Sequence, residues 1–305
     1  MKAFGLALFA ACGAGLLLCG CGSSASSGGS ATSPLAGNWL IVGPMPVNGV
    51  PPSSGFRLAM TFDVTGNSIV ATGFGDDACN SSTGYSFGFG SVVAGTVAAD
   101  GSFKLQSSLG TSGSVRIAPV TMSITGMVPK TGGSTWAGSY SVAFANNIPQ
   151  TCDLSESGTF TATSFPLVSG VYTGTASSTT SVNGVPTTTT MALQVTLQQG
   201  GTRTDPATGH TVTTNTVLTG SIKVQGSPCF SSGTMQSTSA VSVLGNEVNA
   251  AFMMDDGSTL GFIGTLTDAS ESKITTPLVF VAGGHCGGNG TLPAVYQMPE
   301  LDRQN

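Results

Sequence analysis

Val47-Asn48-Gly49-Val50-Pro51 recurs as Val182-Asn183-Gly184-Val185-Pro186, and the match runs on without a gap into an alternating stretch. Phe56, Leu58, Met60 and Phe62 fall on Met191, Leu193, Val195 and Leu197. Apolar side chains at every second position mark a strand with one buried face. The Asn-Gly ahead of it suits a type I′ hairpin, whose two central residues both need positive φ. One pentapeptide match is within reach of chance in a chain rich in Gly, Ser and Thr, but further landmarks follow in the same order. Pro34-Leu35-Ala36-Gly37-Asn38-Trp39 parallels Pro166-Leu167-Val168-Ser169-Gly170-Val171-Tyr172 with one residue inserted, and Cys79 parallels Cys229. Cys152 before Gly158-Thr159-Phe160 parallels Cys286 before Gly290-Thr291-Leu292. Self-similarity of this kind is the mark of a duplicated unit.

The two copies span 34–164 and 165–298, with a polar tail over 299–305. The second copy carries an insertion from Gln199 to Thr211 whose turn-forming composition predicts an exposed loop. Val120, Met122 and Ile124 alternate out of phase with Val115 and Ile117, so a bulge or an edge is expected near Pro119. Thr, Val and Ser dominate, and Gly-rich turns separate short runs. No run after residue 33 keeps a 3.6-residue apolar period. The expected fold is all-β: two tandem antiparallel units of about eight strands, each a small barrel or a sandwich.

Composition excludes several classes. The chain of 305 residues is 8% charged and 40% hydrophobic with a net charge of -5, which is the opposite of a disordered chain. Its 44 glycines have no period of three, so it is not collagenous. Nine Lys plus Arg against fourteen Asp plus Glu, without a basic run, give no footprint for nucleic acid.

The N-terminus reads Met1-Lys2 and then an apolar stretch to Leu18, the plan of a secretory signal. It is too short to prefer spanning a bilayer, which takes about 20 apolar residues. Leu18-Cys19-Gly20-Cys21 resembles the lipobox of bacterial lipoproteins, with Leu at -3 and Gly at -1. The resemblance implies cleavage after Gly20, loss of residues 1–20 and lipidation of Cys21, so that the membrane is a partner and the cell envelope the location. Gly22, where enteric lipoproteins kept at the inner membrane have Asp, implies the outer membrane. Ordinary secretion with Cys21 unmodified is the alternative. Residues 21–33 have no side chain able to anchor a core, and a flexible tether of that composition spans roughly 20 Å. Gly37-Asn38-Trp39 also resembles the Gly-x-Trp opening of lipocalin-like barrels, from which no ligand or catalytic residue is carried over.

Exported chains meet an oxidising environment, so the cysteines beyond Cys21 are expected in disulfides. Of the three possible pairings the duplication selects Cys79 with Cys152 and Cys229 with Cys286. Closing loops of that length stabilises each unit by about 4 kcal/mol in the chain-entropy model. The alternative, a metal or thiol site at His285-Cys286, has only His210 as a second histidine, whereas zinc takes three or four protein ligands. No metal and no cofactor are expected.

Gly84-Tyr85-Ser86-Phe87-Gly88 matches a nucleophile elbow, which needs a strand-to-helix turn; Gly90-Ser91-Val92-Val93 after it reads instead as strand. The acidic pairs Asp76-Asp77 and Asp255-Asp256 are not equivalent in the repeat and are expected in polar turns. Tyr85, Phe87 and Phe89 share one face, as core or as a stacking platform, while Trp136 and Tyr140 should close the first core. No residue is assigned a catalytic role. The expected function is non-enzymatic, binding or structural, with its protein or small-molecule partner left open. A carrier of an apolar or glycan ligand would need a barrel cavity lined by residues such as Phe56, Met60 and Phe62; an envelope hydrolase using Ser86 or an acidic pair is least favoured.

Overall fold

The computed structural model describes residues 33–43, 56–78, 86–107, 119–144, 155–182, 185–204, 211–235, 242–267, 273–284 and 294–304. The regular structure among them is all strand. In the first copy these are β1 (Gly37–Gly43), β2 (Phe56–Thr65), β3 (Ser68–Ala78), β4 (Ser86–Val97), β5 (Ser102–Ser107), β6 (Pro119–Met127), β7 (Thr135–Phe144) and β8 (Ser155–Phe165). Each pairs with the next, and β8 returns to β1 with Asn38 opposite Phe165 and Val42 opposite Thr161, closing an antiparallel barrel of eight strands. The register slips between Pro119 and Thr121, where the phase change predicted a bulge.

The inward face of every strand feeds one core. Trp136 sits at its centre, edge-on to Trp39, Phe62, Phe103 and Phe160 with ring centroids 5.0–6.2 Å apart. Tyr140 stacks on Phe56 at 4.0 Å. Rings of this size fit because glycine faces them: a methyl on Gly126 would lie 2.7 Å from the Trp136 ring and 2.9 Å from that of Phe103. Phe56, Met60 and Phe62 are fully buried in this cluster.

The second copy holds β9 (Ser169–Val182), β10 (Val185–Thr204), β11 (Thr211–Gln225), β12 (Ser232–Met235), β13 (Ser242–Leu244), β14 (Glu247–Met254), β15 (Thr259–Leu266), β16 (Lys273–Ala282), β17 (Ala294–Tyr296) and β18 (Glu300–Gln304). Its pairings also return on themselves. The order β9-β10-β11-β12-β14-β15-β16-β18 ends with β18 paired to β9. β13 pairs the same two neighbours as β12, further along, so the two are pieces of one fourth strand. Ring position therefore matches ring position between the copies, with β17 an addition alongside β16.

The opening strands match closely. Gly37 and Gly170 have φ of 116° and 113°, and Trp39 and Tyr172 follow each by two residues. Trp39 Nε1 donates to Leu35 O at 2.8 Å, and the Tyr172 hydroxyl lies 3.5 Å from Ser169 O. Leu35 and Val168 are both fully buried while Leu167 is exposed, so the inserted residue of the second copy is Leu167. Val182 pairs with Val185, leaving two residues to join β9 and β10 as an Asn-Gly hairpin requires. Both Asn-Gly turns lie outside the described residues.

Three expectations are corrected. Residues 299–305 are not a polar tail: Glu300–Gln304 is β18, the strand that closes the second barrel, with Leu301 fully buried in its core. One buried side chain in so short a strand leaves no readable period. Gln199–Thr211 is not simply an exposed loop either. β10 runs on to Thr204 and β11 starts at Thr211, with a register shift at Gln199/Gly201 and Gln199 itself buried. Asp76 and Asp77 lie within β3, opposite Gly88 and Phe87 of β4, instead of in a turn.

Candidate functional site

β2 buries both of its faces. Its inward side chains fill the first barrel, and its outward Arg57, Ala59, Thr61 and Asp63 meet the rim of the second. This seam holds a connected set of buried polar contacts. Asn38 and Gln199 form a reciprocal amide pair: Asn38 Nδ2 donates to Gln199 Oε1 at 2.9 Å, and Gln199 Nε2 donates back to Asn38 Oδ1 at 2.8 Å. Their other hydrogen-bonding groups are used as well. Asn38 Nδ2 reaches Pro166 O at 3.0 Å, Gln199 Nε2 reaches Asn215 O at 2.7 Å, and Gln199 Oε1 accepts from the Val168 amide at 2.8 Å.

The Thr61 hydroxyl lies 2.9 Å from both Asn38 Oδ1 and Val243 O and accepts from the Gly245 amide at 3.0 Å. Gly245, in the turn between β13 and β14, has φ of +55° and presses against the backbone of β1 and β2. A methyl there would lie 2.5 Å from Trp39 O and 2.6 Å from Met60 N. Only glycine fits, through the close approach and through the left-handed backbone.

Charge brackets this neutral centre. Arg57 pairs with Glu247 at 3.2 Å and donates to Asn246 Oδ1 at 3.1 Å. At the other end Asp63 accepts from the Thr214 hydroxyl and the Asn215 amide, each at 2.6 Å. Burial pushes the Asp63 carboxyl above its usual range, and those two hydrogen bonds offset part of the rise. A buried amide pair with every group satisfied gives register and rigidity, since removing either partner leaves the other's buried polar groups unpaired. Its chemistry is that of a lock between two barrels.

The sequence candidates fall elsewhere. Cys229 is disulfide-bonded. The other six cysteines, Cys21, Cys79, Cys152 and Cys286 among them, lie outside the described residues, as do His210 and His285. Ser86 opens β4, and strand continues through Gly88, so the Gly-x-Ser-x-Gly run lacks the strand-to-helix turn an elbow needs. Phe87 and Phe89 lie on the same strand, and Tyr85 outside the described residues.

Asp255-Asp256 does occupy a polar turn, between β14 and β15. Asp255 accepts from the amides and hydroxyls of Ser231 and Ser232, with the Ser231 hydroxyl first among the contacts that lower its pKa. Asp256 accepts from Ser258. Among the described residues no three of His, Cys, Asp and Glu are placed to hold a metal. Two open surface depressions of about 310 and 300 Å³ lie among the described residues, one beside Trp39 and Phe165, the other beside Cys229 and Asp255.

The seam residues were missed in the sequence because outward positions on a strand read as solvent-facing. Only the repeat offered a signal: Arg57 and Asp63 stand where the second copy has Ala192 and Gln198.

Fold and seam together define a tandem double-barrel β protein. No protein-family model matches the chain, and no curated protein matches it. Among solved structures it is similar to kievitone hydratase from Nectria haematococca, at 10% identity and a TM-score of 0.22, over 88% of this chain and 90% of that one.

Proposed function

We propose that the protein is a bacterial envelope lipoprotein, held to the membrane through lipidated Cys21 and displaying a rigid double-barrel body with a structural or binding role and no catalytic one. The observation that carries this reading is that each barrel is filled by its own side chains. Phe56, Met60 and Phe62, the residues a carrier would turn toward its ligand, are fully buried, with Phe56 stacked on Tyr140 and Phe62 edge-on to Trp136. The Leu18-Cys19-Gly20-Cys21 sequence and the uncharged tether supply the anchor. The proposed disulfides, Cys79 with Cys152 and Cys229 with Cys286, each staple one barrel. The outer membrane is the proposed site.

The test is metabolic labelling of the full chain with an alkyne fatty acid in a bacterial host, followed by fractionation. The wild-type chain should carry the label and sediment with the outer membrane, and Cys21→Ser should lose both. Label retained in Cys21→Ser, or a wild-type chain free in the medium, overturns the anchor.

A further inference from the structure

The second barrel exposes an apolar area on its outer wall that no other described element covers. The register lays Ile263 beside Leu278, and Phe280 between Gly261 and Val295. Ile263 is 56% exposed, Leu278 48% and Val295 47%. Met253, also exposed, extends the area along β14. None of the residues sharing these cross-strand rows, Asn249, Ala251, Thr259 and Ala282 among them, is charged. Phe280 packs against Gly261, where a methyl would strike its ring, so the ring is supported from below and held at the surface.

We infer that this wall of β14, β15, β16 and β17 rests on the lipid bilayer, its aliphatic side chains entering the boundary between headgroups and acyl chains. The inference rests on the anchored reading. Two observations choose the bilayer over another copy of the chain. Four strands at about 4.8 Å and some five residues at about 3.3 Å make an area on the order of 300 Å². A stable dimer buries about 800 Å² on each partner, so this area is too small to hold a dimer alone. A tether of the composition of residues 22–33 spans roughly 20 Å and reaches about 40 Å at full extension. That keeps the body at a high local concentration beside the membrane, where a contact too weak to act in solution is populated.

The experiment places a reporter on the wall. The native Trp39 and Trp136 are buried in the first barrel and give a constant background. Ile263→Trp and, independently, Leu278→Trp are made in the full mature chain and anchored to phosphatidylethanolamine and phosphatidylglycerol vesicles carrying brominated acyl chains. Thr188→Trp, on the exposed β9–β10 hairpin, is the reference. Each variant is checked for wild-type melting.

Quenching at positions 263 and 278 should exceed that at 188 by about threefold or more, with a blue shift on anchoring. Equal quenching at all three positions overturns the inference, as does a blue shift that follows dimerisation in sedimentation instead of anchoring. The anchor is read separately from the mass of the Cys21 peptide. If Cys21 is not acylated, coupling it to a maleimide lipid lets the same quenching comparison decide the wall contact by itself.

Discussion

The outward face of β2 and the outward face of β10 are the same wall in two copies of one barrel, yet one is buried and the other faces water. Arg57, Ala59, Thr61 and Asp63 correspond to Ala192, Gln194, Thr196 and Gln198, and the second set is exposed throughout. Inward positions are alike in both copies because each barrel must fill itself. Outward positions differ, and one wall has a partner where the other faces solvent. The two charges at the ends of the β2 set, and the threonine between them now meeting Val243 and Gly245, are what a docked wall has and a free one lacks.

The largest expected effect concerns closure. Leu301→Ala should cost about 2–5 kcal/mol, because it empties a fully buried position on the strand that seals the second barrel. Chemical denaturation would show it, and a loss below 1 kcal/mol would mean that β18 is no equal of β8. Next comes the turn between the fourth and fifth ring strands. Gly245→Ala should cost about 3 kcal/mol, combining overpacking against the first barrel with a left-handed backbone. Gly101→Ala, in the matching turn of the first barrel with only Met127 nearby at 3.7 Å, should cost about 1–2 kcal/mol from backbone alone. Equal losses would show that the seam does not constrain Gly245.

A smaller contrast is Thr61→Val, expected to lose about 1–3 kcal/mol by stranding buried partners. Its counterpart Thr196→Val should stay within about 0.5 kcal/mol. The smallest effect is one of pH. Burial raises the Asp63 carboxyl, so the folded protein binds that proton more tightly than the unfolded chain. Stability from this group is therefore present in acid and lost as pH rises through the folded value, above the usual carboxylate range. Thermal melts against Asp63→Asn should show the wild type gaining on the variant as pH falls from neutral toward 4. A gap that is flat or that widens upward in pH would refute the assignment.

How much of this was readable in advance follows from the same contrast. The β architecture, the repeat and the slip at Pro119 were legible because a side chain that fills a barrel leaves a period of two. The fourth strand of the second barrel is broken into β12 and β13, and β18 shows a single buried residue, so neither announces itself. The seam was hidden for a different reason. Arg57, Thr61, Asp63 and Gln199 are the residues expected on a wet surface, and contact between the two barrels buries Thr61 and Gln199 and partly buries Arg57 and Asp63.

The body is a barrel and its copy, and in the proposed pairing each copy is stapled within itself. Mass spectrometry of a non-reduced proteolytic digest tests it most directly. Peptides joined through Cys79 and Cys152 and through Cys229 and Cys286 are expected. A bridge from either of the first two cysteines to either of the last two would contradict it.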